Sequence, residues 1–308
     1  MIAFNMLFLL FARYSYSAPV RDAEEMNLKD SVKLIVEKRN APNEPDSISL
    51  SSEIPGNRPY TGQELHFNID GYITKEYRCS SETEPFLRSV YKFDEEGRWE
   101  KTEKYNHKGT IERRYEYSYL DCGRIGQIEM YDSKTAQAPK EKSIIVYSQD
   151  KEVRKDYSST GDLSGKSLKY LDDNGFVVKF EFFDYIMGYE RLTQTEVYKY
   201  DEEGNRMESW SEFGRVEKTR AEYDYDEEGR MIDYIVYDEK NRVRSRIVWQ
   251  FDKNGNEISQ RIYGPEEILR REVVHEYEYD ARNNWIQKNK IVNNVNEAIY
   301  ERGIEYYN

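Results

Sequence analysis

Cysteine is nearly absent: Cys79 and Cys122 are the only two in 308 residues. Two thiols make no disulfide framework, and without a Cys-x-x-Cys they suggest neither a redox motif nor a zinc ribbon. One bridge, Cys79–Cys122, is the most they offer, and only to an exported chain. Histidine is as scarce. His66, His107 and His275 stand alone, in no metal-binding spacing. No Gly-x-Ser-x-Gly elbow and no phosphate loop is present. The sequence therefore nominates no catalytic residue, no metal and no cofactor, and the expectation is a protein that is not an enzyme. Leu, Ile, Val and Phe together make only about a fifth of the chain. That excludes a doubly wound α/β domain or a barrel of buried parallel strands, which read as aliphatic runs. No stretch is apolar for the roughly 20 residues a membrane helix needs. Basic residues are outnumbered, 46 against 59 acidic, giving a net charge of -13. Such a chain is no nucleic-acid binder, which wants a basic face.

Tyrosine supplies the missing bulk, with 28 copies. The chain opens on an apolar run, Ile2 to Ala12, too short to span a bilayer but of the length of a signal-peptide core. Residues 1–17 are expected to be a leader, cut between Ser17 and Ala18, and the protein to be exported: periplasmic, secreted or at the cell surface. An N-terminal arm, 18–62, follows. Its first part predicts a helix over 22–39, with Asp22 and Glu25 as a capping pair and Leu28, Val32 and Ile35 on one face. Its second part, rich in Pro42, Pro45, Pro55 and Pro59, reads as a linker.

Residues 63–308 form the remaining unit, and they repeat. Four-residue windows recur that begin with Asp, Asn or Ser and end in glycine, as in Asp226-Glu227-Glu228-Gly229. The closing residues are Gly97, Gly109, Gly161, Gly175, Gly204, Gly214, Gly229 and Gly255, with Asn241 and Asn283 in the same place, and Gly123 closes a variant window that opens on Leu120. A type I turn accounts for the pattern. The first side chain hydrogen-bonds the turn backbone. The last residue takes a left-handed conformation, which glycine adopts freely and asparagine tolerates. A bulge there returns the chain as a hairpin.

Between turns the strands alternate. Tyr-x-Tyr or Tyr-x-Phe precedes many of them, as in Tyr91/Phe93, Tyr198/Tyr200, Tyr223/Tyr225 and Tyr277/Tyr279. Residues two apart share a strand face. Val243, Ser245, Ile247, Trp249 and Phe251 thus share one face, and Arg242, Arg244, Arg246 and Gln250 the other, which must be wet. The expected fold is all-β: an antiparallel meander of tandem hairpins, roughly 14–17 strands, curled into a trough, shell or open barrel by accumulated twist. Successive turns alternate between two rims. The series with a period of about 26 residues therefore lines one rim, and that rim is acidic.

The repeat Tyr-x-Tyr-Asp-x-x-Gly-Arg, seen at 223–230 and in variant form at 91–99, 198–205 and 277–285, resembles the YD repeat of Rhs-type proteins, teneurins and toxin-complex shells. That resemblance implies a β-shell, often at a cell surface, for which carbohydrate binding has been proposed. It covers the repeat region only: the Asp-Pro-x-Gly-Leu signature of an Rhs core terminus is absent, and no toxin domain is read. The functional expectation is a surface or periplasmic binding module for a glycan or a protein. Trp99, Trp210, Trp249 and Trp285 are the candidate ligand-binding rings. A structural scaffold acting through sheet edges and the acidic rim is the alternative.

Overall fold

The turn chemistry shapes the whole molecule. In the computed structural model, which describes residues 22–40, 60–80, 83–133, 136–214 and 217–308, Asp226 accepts hydrogen bonds from the amides of Glu228 (3.2 Å) and Arg230 (2.8 Å) through Oδ1. Its Oδ2 accepts Arg230 Nε at 2.6 Å. Asp94 does the same with Glu96 and Arg98. Gly97, Gly109, Gly123, Gly161, Gly175, Gly204, Gly229 and Gly255 all have φ between +74° and +88°. Asn241 and Asn283 take φ of +59° and +62° in the same place.

Twenty strands result. They are β1 (Val32–Asn40), β2 (Tyr60–Phe67), β3 (Ile73–Ser80), β4 (Thr83–Phe93) and β5 (Trp99–Tyr105). There follow β6 (Ile111–Tyr119), β7 (Ile125–Tyr131), β8 (Glu141–Tyr147), β9 (Lys151–Ser158) and β10 (Leu163–Leu171). Next come β11 (Val177–Ile186), β12 (Tyr189–Tyr200), β13 (Arg206–Phe213), β14 (Glu217–Tyr225) and β15 (Met231–Tyr237). The last are β16 (Val243–Phe251), β17 (Glu257–Tyr263), β18 (Leu269–Tyr279), β19 (Trp285–Val292) and β20 (Val295–Tyr306). Each strand pairs antiparallel with the next, and β1 pairs with both β2 and β20, with Ile35 opposite Leu65 and Ile304. The sheet is therefore a closed barrel rather than an open trough, and its strand count exceeds the expected range. Following the pairings once around gives a stagger of about 22 residues, hence a strand tilt of about 40°.

The N-terminal expectation is corrected. The helix, α1, covers only Asp22–Glu25, and Val32–Asn40 is the strand that closes the barrel. The β-branched residues Val32, Ile35 and Val36 favour a pleat, and Ile35 and Glu37 point to one face while Leu34 and Val36 point to the other. The barrel thus begins within the supposed arm. The expected leader at 1–17 and the proline-rich stretch at 41–59 lie outside the described residues.

Residues 22–31 show which face is concave. Ala23 N donates to Gly71 O at 3.0 Å, Asn27 Nδ2 to Asn254 O at 2.6 Å, and Lys29 N to Asn284 Oδ1 at 2.7 Å. The β16–β17 and β18–β19 turns are neighbours on the rim, but the β2–β3 turn lies beyond β20 and β1. So short a segment can join them only across the inside of the curve. It packs Ala23, Met26 and Leu28 onto Val32, Ile35, Leu65 and Phe67, the main core cluster. A second cluster, Ile125, Ile128 and Ile145, lies under Tyr115, Tyr117, Tyr119 and Tyr147.

Tyrosine rather than phenylalanine is used for a reason. The bulge beside each turn leaves a carbonyl off the ladder. The next hairpin supplies a hydroxyl to it: Tyr119 to Trp99 O (2.8 Å), Tyr147 to Ile125 O (3.0 Å), Tyr200 to Val177 O (2.8 Å) and Tyr277 to Glu257 O (2.8 Å). The outward face carries charge over its height, for example Arg220, Glu222 and Asp224 on β14 and Glu272, Glu276 and Glu278 on β18. A barrel that spans a membrane presents an apolar band about 25 Å tall instead.

Two further expectations are corrected. Gly214 has φ +59°, but its amide donates to Thr193 O, and Ser211 to Phe213 belong to β13, so no four-residue turn closes there. No disulfide joins Cys79 and Cys122. Cys79 sits near the end of β3 and Cys122 in the β6–β7 turn, at opposite rims. A bridge needs Cα atoms within about 7 Å.

Candidate functional site in the barrel interior

The four tryptophans do not form one row. Trp99, Trp249 and Trp285 face inward, whereas Trp210 pairs with Val197 and Arg220 on the outer face. The bulge after each turn explains this. In β13 it places Arg206 and Ser209 inside and so turns Trp210 out. Most ring faces are already covered. Trp285, 7% exposed, lies under the Arg302 guanidinium at 3.3 Å and has the Lys288 ammonium at 5.0 Å. Lys199 covers Trp210 at 4.5 Å, and Tyr117 packs on Trp99 at 5.8 Å. Trp249 differs. It is half-buried, and among the described residues neither a cation nor another ring packs on it.

Around Trp249 the wall is built from neighbouring strands. Gln260 of β17 is its register partner, and Tyr234 of β15 stands opposite Ile247. Tyr234 packs on Tyr223 with centroids 5.1 Å apart and the rings tilted by 36°, and Tyr223 shares a 3.0 Å hydrogen bond with Ser209. The Tyr234 hydroxyl and the Gln260 amide have no protein partner among the described residues. Burial pushes the Tyr234 phenol well above its ordinary range, with the Tyr223 and Glu196 charges adding to it. It stays a neutral donor. Next to this wall, Glu196 accepts from Gln194 (2.5 Å) and from the Tyr198 hydroxyl. Arg206 lies over the Tyr198 ring at 4.1 Å.

A second inward cluster marks the closure seam. Arg302 Nε donates to Glu37 at 2.7 Å, a pair only 8% and 9% exposed. Lys288 sits beside it over the Tyr300 ring at 4.4 Å, and burial lowers its pKa. His275 Nδ1 lies 3.1 Å from Glu257 O, and burial holds the ring below its ordinary pKa. Arg302 and Glu37 thus pair with each other, and the Lys288 ammonium is held between the Trp285 and Tyr300 rings. His66 lies 2.5 Å from Glu64, and His107 is in the exposed β5–β6 turn. Among the described residues no group of His, Cys, Asp or Glu is arranged to hold a metal. Asp252, at the head of a turn that might suggest calcium, spends its oxygens on the amides of Asn254 and Asn256 and on the Tyr279 hydroxyl. A shallow depression of about 380 Å³ on the outer wall is lined by Glu208, Glu222, Asp224 and Asp233, and Arg220 and Arg246 already pair with three of them.

No family model matches the chain, and no curated protein matches it. Solved structures do align with it. A protein of unknown function from Bacteroides fragilis shares 13% identity, over 41% of this chain and 89% of that one, with a TM-score of 0.28. A porin-like protein from Bacteroides uniformis shares 11% over 90% of this chain and 98% of its own, with a TM-score of 0.34. The Tc holotoxin pore of Photorhabdus luminescens shares 12% over 78% of this chain but only 19% of its own, with a TM-score of 0.18. Likenesses this distant fix no function, which leaves the chemistry of the barrel wall to indicate one.

Proposed function

We propose that the chain is a non-catalytic binding module that takes a glycan on its concave wall around Trp249. The observation that carries this is Trp249, half-buried and with neither a cation nor another ring packed on it among the described residues, near two polar groups without a hydrogen-bond partner there, Gln260 and Tyr234. A sugar ring presents an apolar face to an aromatic ring and hydroxyls around its edge. An indole flanked by an amide and a phenol matches that pattern, as ligand sites pair apolar walls with a few placed polar groups. The segment 22–31 crosses the acidic rim, so the ligand enters by the opposite rim. The apolar run Ile2–Ala12 supports an exported location.

The test is a broad glycan array with the full chain, beside Trp249→Ala and Trp210→Ala. Selective binding lost in Trp249→Ala and kept in Trp210→Ala is the expected result. A blank array with folded, monodisperse protein would end this reading.

A further inference from the structure

One hairpin stands apart from the rest of the wall. Strands β11 and β12 run past their neighbours: β10 last pairs at Gly165 with Asp184, and β13 at Phe213 with Gln194. The ladders therefore end about three residues short of the tip, Ile186-Met187-Gly188-Tyr189, on the β10 side and about six residues short of it on the β13 side. Met187 at 93% and Tyr189 at 79% are the two most exposed large apolar groups among the described residues, and Ile186 at 48% and Leu192 at 47% lie beside them. The turn is a two-residue one, with φ of +53° at Met187 and +82° at Gly188. Such a turn calls for Asn-Gly or a similar pair, because a bulky residue at positive φ is strained. The same chain supplies the comparison. Another two-residue hairpin turn, between β19 and β20, uses Asn293 and Asn294 at +49° and +65°. The fold thus bears a local cost to keep a methionine in water at the end of a projecting hairpin, and strain of that kind marks a site of use.

We propose that this tip inserts into the surface of a lipid bilayer and so holds the barrel against it. Three observations select a bilayer. The tip exposes only a few hundred Å² of apolar surface, roughly half or less of what one side of a stable protein interface buries, which excludes a second copy as its partner. Its composition, two aliphatic side chains with tyrosines at positions 185 and 189, suits shallow insertion with the phenols at the headgroups. The charges orient the molecule. At the base of the hairpin Lys166 pairs with Glu190 and Arg191 with Asp184, and Lys155, the register partner of Lys166, adds a further positive charge. The Asp-Glu-Glu-Gly turns at 94–97, 201–204 and 226–229 all lie on the opposite rim, away from an anionic membrane.

Sedimentation of the full chain with sucrose-loaded vesicles tests this, using phosphatidylcholine alone and phosphatidylcholine with phosphatidylglycerol. The wild type should partition into both, more strongly with the anionic lipid. Met187→Asn should weaken partitioning about 3-fold, and Ile186→Ser/Met187→Asn/Tyr189→Ser more than about 10-fold. Because asparagine suits the turn, the unfolding midpoint of Met187→Asn should equal or exceed that of the wild type, which separates lost insertion from lost folding. The proposal is overturned if the wild type stays in the supernatant, if the triple variant binds vesicles as the wild type does, or if the tip instead drives a concentration-dependent dimer that Met187→Asn dissolves.

Discussion

Replacing Asn284 by alanine should loosen the barrel mouth more than any other single polar truncation at the rim. Asn284 is 2% exposed. Its Oδ1 accepts Lys29 N at 2.7 Å, and its Nδ2 donates to Lys29 O at 2.8 Å and to the Tyr306 hydroxyl at 2.9 Å. One side chain thus holds both backbone groups of Lys29 and one ring of β20. Truncation leaves three partners without their bond, at about 1–3 kcal/mol for each group left unsatisfied. Water reaches the Lys29 side of the mouth and recovers part of this, so the expected net loss is about 2–3 kcal/mol. With a urea slope of about 3 kcal/mol per molar, the midpoint should fall by somewhat under 1 M. Amide exchange adds a local readout: Lys29 and Asn27 should lose protection before the strands do. Asn284→Asp keeps the acceptor but sets a carboxylate oxygen against Lys29 O beside the Asp280 carboxylate, so it should cost at least as much as alanine. A midpoint within 0.2 M of wild type, or unchanged exchange at Lys29, would refute the role given to this side chain.

Two turn glycines should respond differently to alanine. Both Gly204 and Gly229 have positive φ, but a Cβ at Gly204 would stand 2.5 Å from Phe176 Cζ, while at Gly229 the nearest atom is 3.9 Å away. Gly204→Ala should therefore cost about 1–2 kcal/mol more than Gly229→Ala in urea titration, and equal costs would contradict this packing. Stability should fall at both ends of the pH scale. Hydrogen bonding from Arg242 holds Asp238 down to about 2, so its contribution is complete above pH 4 and fades as pH falls towards 2. Burial, with the Asp252 and Asp280 carboxylates adding to it, pushes Tyr279 and Tyr306 up to about 12, so their contribution is complete below pH 10 and fades as pH rises through 12. Circular dichroism across pH should show a plateau between these limits, and acid loss beginning above pH 5 would point to other groups. Cys122, exposed in its turn, should react with a maleimide in the native state, and dithiothreitol should leave the unfolding temperature unchanged.

The hairpins were legible because their turns leave little choice: a left-handed fourth residue admits glycine or asparagine, and a leading aspartate is fixed by the amides it accepts. Strand alternation was legible for the same reason in β16, where Ile247 and Trp249 face inward and Arg246 outward. Closure was not. In the stretch around β1, Leu28, Val32 and Ile35 have helical spacing, and a short window cannot show that the strand has two partners, one about 30 residues away and one about 265 residues away. The sidedness of Trp210 was lost for a local reason. In β13 the bulge after the turn shifts the alternation by one residue, so residues two, five and seven after Gly204 face inward. With that rule the sequence would have placed Trp210, six residues after Gly204, on the outside. The site at Trp249 could be read only as one ring among four, since what distinguishes it is that among the described residues neither a cation nor another ring packs on it.

The pairing of β1 with β20 also governs how the chain reaches its native state. Nineteen of the twenty strand pairings join consecutive strands, which form from nearby residues with little loop to close. The twentieth brings Val36 to Gly303. Local hairpins zip quickly, whereas a contact across nearly the whole chain must wait for everything between. Until β20 is delivered, β1 and β20 are both bare edges, each able to pair with the wrong strand or another chain. Refolding should therefore show a fast gain of β-structure followed by a slow, concentration-sensitive step. Until that last seam forms, the protein is an open ribbon at risk of polymerising edge to edge.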